Sequence, residues 1–156
     1  MPTAAEPTTG EREVLVQHDV AITMPDGVEL AANLYLPADG NGAWPGIMTF
    51  IPYHKDGRGG AGYLDAYHRH FAARGYAVLH VDFRGTGSSG GAPYRTMDGR
   101  ERLDGHQIVE WMARQPWCTG DVGLWGVSYG GITAMAIAET HPPHLRAIVP
   151  IHAPDD

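Results

Sequence analysis

The alternation of short apolar runs with helix-like segments constrains the fold of this 156-residue chain more than any other feature. Apolar runs of strand length occupy residues 46–52, 76–83, 121–128 and 145–152. A short apolar run without polar alternation is typical of a strand that is buried on both faces. Because segments with helical spacing separate these runs, the pattern predicts a mostly parallel sheet with helices on both faces.

Three helices are predicted between the apolar runs, at residues 64–75, about 100–113 and 130–140. In the first, four side chains recur at helical spacing: Leu64, Tyr67, His68 and Phe71. Gly75 then supplies a C-terminal stop. In the second helix, four side chains are expected to face inward: Leu103, Ile108, Trp111 and Met112.

An antiparallel hairpin is predicted ahead of the alternating region. Residues 13–24 and 28–37 have the β-branched content and partial alternation of strands, and the turn signal Pro25-Asp26-Gly27 lies between them. In the second strand, four residues are expected to share one face: Leu30, Ala32, Leu34 and Leu36. Residues 1–11 are polar and are expected to form a flexible tail, which leaves residues 12–156 as the folded region.

Composition narrows the class of partners. The formal net charge of -7 argues against a nucleic-acid partner held through its phosphates. No run is long enough to span a bilayer and the first residues lack the apolar core of a signal peptide, so we expect a cytoplasmic protein with no membrane partner.

Cys118 is the only cysteine, so no intrachain disulfide is expected. The composition does not indicate an oligomeric state.

Two histidine pairs, His68 with His70 and His141 with His144, could suggest a metal site. No cysteine or carboxylate accompanies either pair at the spacing of metal ligands. We therefore interpret these four side chains as solvated histidines and expect neither a metal nor another cofactor.

The motif that carries chemistry is Gly126-Val127-Ser128-Tyr129-Gly130. A G-x-S-x-G pentapeptide forms a nucleophile elbow when it joins a strand to a helix, because bulky residues at the glycine positions would collide with both elements. The motif follows an apolar run and opens a predicted helix, as the elbow requires. Ser128 is therefore the candidate nucleophile, and a turn serine in a strand-to-helix loop is the alternative.

The same pattern occurs a second time at Gly87-Ser88-Ser89-Gly90-Gly91. Here the serine lies in a glycine-rich loop and is followed by Ala92-Pro93-Tyr94 rather than by a helix. Because the elbow needs a strand before it and a helix after it, Ser89 is interpreted as loop content.

Acyl transfer also needs hydrogen-bond donors for the negative charge that develops on the carbonyl oxygen. The backbone N–H of Tyr129, the residue after the candidate nucleophile, is one candidate donor. The loop after residues 46–52 should supply the second, and the Tyr53 hydroxyl is available there. The alternative for Tyr53 is a packed aromatic side chain at a strand end.

The sequence resembles the CocE/NonD hydrolases and the X-Pro dipeptidyl-peptidase-like group. Three stretches carry the resemblance: Pro52-Tyr53 with Lys55, residues 82–90 (DFRGTGSSG), and residues 115–123 (QPWCTGDVG) running into the Ser128 pentapeptide. The resemblance implies an α/β-hydrolase fold, Ser128 as the nucleophile and Tyr53 as an oxyanion-hole hydroxyl. It also implies cleavage of esters or amides, including dipeptides that end in proline, through an acyl-enzyme. Small esters, amides or short peptides are then the expected substrates.

The resemblance also implies parts that residues 1–156 do not show. In the family the triad acid and histidine lie far downstream, beyond a helical cap, and a jelly-roll β-domain ends the chain. We therefore expect the N-terminal portion of the fold, truncated after about the sixth strand. His152 ends the last predicted strand and is the one nearby histidine. Asp155 and Asp156 are interpreted as a ragged end.

Three further family positions are occupied by Arg84, Glu101 and Asp104, and we expect these side chains to form structural ion pairs or to hold loops. The missing acid and base leave two alternatives to a hydrolase open: a non-catalytic remnant or interaction module, and an acyltransferase. We also expect these 156 residues, expressed alone, to be poorly soluble and hydrolytically weak or silent, because the last strand would have an unpaired edge.

Overall fold

A computed structural model describes residues 12–39, 42–56, 64–95 and 99–154. The predictions for the tail at residues 1–11 and for Asp155 and Asp156 lie outside these ranges. The described part contains six strands: β1 (Val14–Thr23), β2 (Glu29–Pro37), β3 (Trp44–Ile51), β4 (Ala77–Asp82), β5 (Cys118–Val127) and β6 (Leu145–Ile151). It also contains three helices: α1 (Leu64–Ala72), α2 (Glu101–Ala113) and α3 (Tyr129–Ala138).

All six strands form one sheet in the order β1-β2-β4-β3-β5-β6. β1 and β2 are antiparallel and β2 is antiparallel to β4, whereas β3 runs parallel to β4 and β5, and β5 runs parallel to β6. The predicted hairpin followed by a mostly parallel sheet is therefore confirmed. Because β3, β4, β5 and β6 share one direction, their carboxyl ends meet at a single edge of the sheet.

Helices cover both faces of the sheet, as predicted. Alternate side chains along the strands enter different clusters, because successive residues of a strand point to opposite faces. Met48 and Phe50 join the main core with α2 and α3, whereas Ile47 and Ile51 pack with Leu64 of α1 or its neighbours. Within the described residues, no helix combines the length and the apolarity needed to cross a bilayer.

The four residues expected to share one face of β2 are all buried, but so is the opposite face of the strand. Tyr35 is 2% exposed, because the side chains of α1 cover it. Its hydroxyl donates a hydrogen bond of 2.9 Å to Asp65 at the start of that helix. β2 is thus an interior strand, whereas β6 lies at the edge of the sheet with Val149 51% exposed.

The prediction that Leu103 faces inward is wrong. This side chain is 58% exposed, and the buried face of α2 includes Asp104 together with Ile108 and Met112. Two hydrogen bonds from the Arg84 guanidinium, at 2.8 and 2.9 Å, hold the Asp104 carboxylate against the molecule. The ion pair therefore sets the orientation of the helix, and it confirms the structural role expected of Arg84 and Asp104.

The interpretation of His68 as a solvated histidine is also wrong. This side chain of α1 is fully buried, and its ring lies 4.7 Å from that of His80 and 5.9 Å from that of Trp125. Its Nε2 lies 3.2 Å from the Thr49 hydroxyl, which donates to the carbonyl of Trp125. Burial lowers the pKa of both histidines, that of His80 to about 4, so the pair is neutral at physiological pH.

Candidate active site

Ser128 lies between the last residue of β5 and the first residue of α3, at the carboxyl edge of the sheet. Its backbone has φ 56° and ψ −119°, a strained conformation for a residue with a side chain, and the residue is exposed. The backbone around it is well bonded. Its N–H donates to the Ile151 carbonyl at 2.8 Å, and its carbonyl accepts from Gly131 at 2.9 Å. The strand-to-helix turn thus presents the serine side chain to solvent.

Glycines beside Ser128 are required because the chain passes close to itself there. A Cβ atom on Gly126 would lie 2.7 Å from the Cα of Gly130 and still closer to its carbonyl group. A Cβ on Gly131 would lie 2.8 Å from the Cβ of Ala153 and 3.1 Å from the Ile151 nitrogen. The collision at Gly126 is one for which the elbow motif requires glycine, and a Cβ on Gly130, the second glycine of the motif, would lie 3.0 Å from Cγ2 of Ile51.

Ser89, in the second copy of the pattern, occupies a different environment. It is 9% exposed, and its hydroxyl donates to the carbonyl of Asp82 and accepts from the N–H of Ala31, both at 2.9 Å. No helix begins directly after it in the described residues up to Tyr94 and Arg95. Its hydroxyl joins the end of β4 to β2, which is a structural role more specific than the loop content expected from the sequence.

The two residues expected to stabilise an oxyanion lie at the same edge as Ser128. The register pairs Met48 of β3 with Leu124 of β5, and Tyr53 follows the end of β3 as Ser128 follows the end of β5. Tyr53 is 47% exposed, and its ring lies edge-on to that of Tyr129 with centroids 6.2 Å apart. Tyr53 thus combines a half-exposed side chain with one aromatic contact just after the end of β3.

Tyr129 begins α3 and is 9% exposed. Its ring packs edge-on against Phe83, with centroids 5.7 Å apart. The start of a helix carries partial positive charge, which favours negative charge that develops beside Ser128. A cavity of about 70 Å³ adjoins this point and is lined mainly by apolar and aromatic side chains: Pro52, Phe83, Arg84, Thr86, Pro93, Tyr94, Arg95 and Tyr129.

The histidines after Ser128 do not complete a triad in the described part of the chain. His152 follows Ile151, whose carbonyl accepts from Ser128, yet no described hydrogen bond joins its ring to the serine. His144 lies beyond the far end of α3, where its Nδ1 is 2.8 Å from the Glu110 carboxylate. His141 is exposed at the same end. His141 and His144 therefore lie beyond the end of α3 that is opposite to Ser128.

A buried ionic cluster lies behind the loop that carries Tyr53. We define the Lys55 cluster as Lys55, Asp19, Asp56 and Asp82. The Lys55 ammonium is fully buried and contacts Asp56, Asp19 at 2.6 Å and Asp82 at 3.9 Å. Lys55 belongs to the stretches that carry the family resemblance, but no role for it was expected from the sequence. The sequence contained one indication of this cluster. Asp82 ends a run of buried strand residues, and a carboxylate at such a position needs a cation or several hydrogen-bond donors.

Comparisons with known proteins agree with this geometry. The family model described as X-Pro dipeptidyl-peptidase (S15 family) matches residues 26–156. The chain is 37% identical over 145 residues to a Mycobacterium bovis protein whose name proposes a serine esterase, with 83% of this chain and 23% of that protein covered. It is 35% identical over 141 residues to the cocaine esterase of Rhodococcus, with 90% and 24% covered.

A solved structure agrees as well. The crystal structure of a CocE/NonD family hydrolase from Staphylococcus aureus superposes with a TM-score of 0.81 at 28% identity, and the match covers 93% of this chain and 29% of that one. The chain therefore spans 23% to 29% of the length of these relatives.

Proposed function

The chain belongs to the X-Pro dipeptidyl-peptidase (S15) family, and we propose that Ser128 is the nucleophile of a serine hydrolase that cleaves ester or amide bonds. The observation that carries the proposal is the strained, exposed serine at the junction of β5 and α3. Backbone strain of this kind costs free energy and is retained where function requires it. We also propose that residues 12–156 are the N-terminal part of the catalytic domain.

In the proposed reaction, the Ser128 oxygen attacks the acyl carbonyl carbon and gives a tetrahedral intermediate. The negative oxygen accepts hydrogen bonds from the Tyr129 N–H and the Tyr53 hydroxyl, and the start of α3 favours the same charge. Collapse of the intermediate expels the alcohol or amine and leaves an acyl-enzyme. Water then attacks the acyl-enzyme, releases the acid and restores Ser128.

The serine needs a base to accept its proton, and a carboxylate to orient that base. The described residues do not place either group in hydrogen-bond contact with Ser128. The family resemblance puts both groups beyond the stretch that corresponds to residues 1–156. We therefore propose that the activity belongs to the protein expressed from its complete reading frame.

The substrate is proposed as a small ester, a small amide or a short peptide. The family model carries the name of a peptidase that acts on X-Pro dipeptides, whereas similar proteins are named for ester cleavage. A panel of aryl esters and Xaa-Pro anilides, assayed with the complete protein, separates the two substrate classes.

The nucleophile is tested by labelling the complete protein with a fluorophosphonate, which phosphonylates an activated serine. The chain has three serines, Ser88, Ser89 and Ser128, so mass spectrometry of the labelled peptides assigns the site. We expect the label on the peptide that contains Ser128 and none in S128A. A label on the Ser88–Ser89 peptide would contradict the proposal. A folded, unlabelled wild-type protein would instead favour the non-catalytic alternative.

A further inference from the structure

We propose that Lys55 is a positioning residue for Tyr53, and that the carboxylates around its ammonium fix the loop that presents the Tyr53 hydroxyl to the oxyanion. The proposal rests on the proposed function of Ser128 and Tyr53. It gives the buried Lys55 cluster a role in catalysis that acts through the tyrosine two residues earlier in the chain.

Tyr53 has little packing of its own to hold it. Its side chain is 47% exposed, and the ring contact with Tyr129 is the one side-chain interaction that the described residues give it. An exposed side chain with one edge contact takes its position from the backbone that carries it. The precision of the Tyr53 hydroxyl therefore depends on how firmly residues 52–56 are held.

A hydrogen bond from the Lys55 N–H fixes the backbone of that loop directly after the strained residue, His54. His54, between Tyr53 and Lys55, has φ 66°, a left-handed conformation that residues other than glycine adopt at a cost. The N–H of Lys55 donates to Oδ1 of Asp82 at 2.5 Å. The other oxygen of Asp82 accepts from the Ser88 N–H at 3.0 Å. A carboxylate that is 1% exposed thus fixes the loop immediately after the strained residue.

The side chain of Lys55 holds the same loop from a second direction. Its buried ammonium contacts the Asp56 carboxylate and lies 2.6 Å from that of Asp19. Burial by itself lowers the pKa of a lysine, but here the hydrogen bonds to Asp19 and Asp56 outweigh it and the pKa is raised. Lys55 therefore remains charged, and removing the ammonium would leave its partner carboxylates without a cation.

The carboxylates come from the antiparallel hairpin as well as from the loop. Asp19 has φ 52° at an irregularity in the β1–β2 register, between Gln17 and Val20. Asn33 of β2, 2% exposed, donates to the Asp56 carboxylate at 2.7 Å. The strand irregularity and Asn33 thus connect the far edge of the sheet to the loop that carries Tyr53.

The test is a double-mutant cycle on the complete protein, measured as kcat and KM with an aryl ester. Y53F should lower kcat on the order of 10²-fold, the usual effect of losing one oxyanion donor. K55M should lower kcat by a similar factor with little change in KM, because the donor acts in the transition state. The double variant should resemble Y53F alone, since Lys55 acts through Tyr53.

Two outcomes would overturn the proposal: losses that multiply in the double variant, or a K55M protein with unchanged kcat and only a lower melting temperature. If K55M does not fold, D19N replaces it in the same cycle, because the Asp19 side chain is 61% exposed and its amide keeps the shape of the residue. K55R keeps the charge and should restore part of kcat.

E110Q is the matched control, since it removes another partly buried carboxylate, which contacts Nδ1 of His144 beyond the far end of α3. We expect it to lower the melting temperature without changing kcat. S128A distinguishes failure of the proposed function from failure of the role proposed for Lys55. Turnover by S128A would overturn the proposed function itself. An inactive S128A together with multiplying losses in the cycle would overturn only the role of Lys55.

Discussion

Ser128 and Ser89 occupy the same five-residue pattern, yet the fold uses them in opposite ways. Ser128 is exposed, has φ 56° and makes backbone hydrogen bonds on both sides. Ser89 is buried and uses its hydroxyl to join the Asp82 carbonyl to the Ala31 N–H. The pentapeptide therefore forms a nucleophile elbow only where a strand ends just before it and a helix begins within it.

The largest predicted difference between the two serines is in turnover. In the complete protein, S128A should lower ester hydrolysis on the order of 10⁴-fold or more, because it removes the attacking oxygen. S89A should retain turnover per folded molecule. Initial rates with an aryl ester, normalised to folded protein by circular dichroism, measure both. A large loss of turnover in well-folded S89A would reverse the assignment of the two serines.

Gly126, the first glycine of the elbow motif, and Gly90, which holds a variable position of the second pentapeptide, should differ next. G126A places a methyl group against the backbone of Gly130, which can relieve the contact only by moving α3. We expect a cost of about 3 kcal/mol in the free energy of unfolding and loss of fluorophosphonate labelling. In G90A the new methyl would lie 3.2 Å from the Glu29 carbonyl, so its cost should be well under that of G126A. Urea unfolding of both variants compares them, and equal costs would contradict the steric account of the elbow.

Lowering the pH tests the buried histidine pair, His68 and His80, which lies close to both serine loops. His80 lies two residues before Asp82, and His68 contacts Trp125, three residues before Ser128. Because burial lowers the pKa of His80 to about 4, the unfolded state binds more protons than the folded state below pH 6.5. The contribution of neutral His80 to the free energy of unfolding is therefore fully present above about pH 6.5. It is lost as the pH falls towards about 4.

From His80 alone we expect a loss of about 2 kcal/mol between pH 7 and pH 5. Urea unfolding at several pH values measures this loss. H80F should reduce the dependence on pH but leave the part that comes from buried His68, whereas H70Q, at an exposed histidine of the same helix, should leave it unchanged. An unchanged dependence on pH in H80F would contradict this role of the buried His80.

The smallest effect is expected for the stability of S89A. Loss of the hydroxyl leaves the buried N–H of Ala31 and the carbonyl of Asp82 without this partner. The expected cost is about 1–2 kcal/mol in the free energy of unfolding, which thermal or urea unfolding detects. S128A should cost little by the same measurement, because its hydroxyl is exposed. Equal stabilities of the two variants would remove the structural role of Ser89.

Local pattern was sufficient for the strands, the helices and the elbow. The hairpin, the order of strands and helices along the chain and the position of Ser128 between β5 and α3 follow from the spacing of apolar residues and from the glycines around the serine. These features are local, because side-chain periodicity and the collision between Gly126 and Gly130 involve residues within one or two turns of each other.

Only the tertiary structure decided which side chains support that framework. Leu103 was expected inward, but Arg84, twenty residues before Asp104, draws the Asp104 carboxylate to the buried face instead. His68 was expected in solvent, but it packs against His80 and Trp125. The ammonium of Lys55, in the loop after β3, contacts the carboxylate of Asp19 in β1. These contacts join residues that are distant along the chain, and they depend on the register and packing of whole elements, which no short sequence pattern contains.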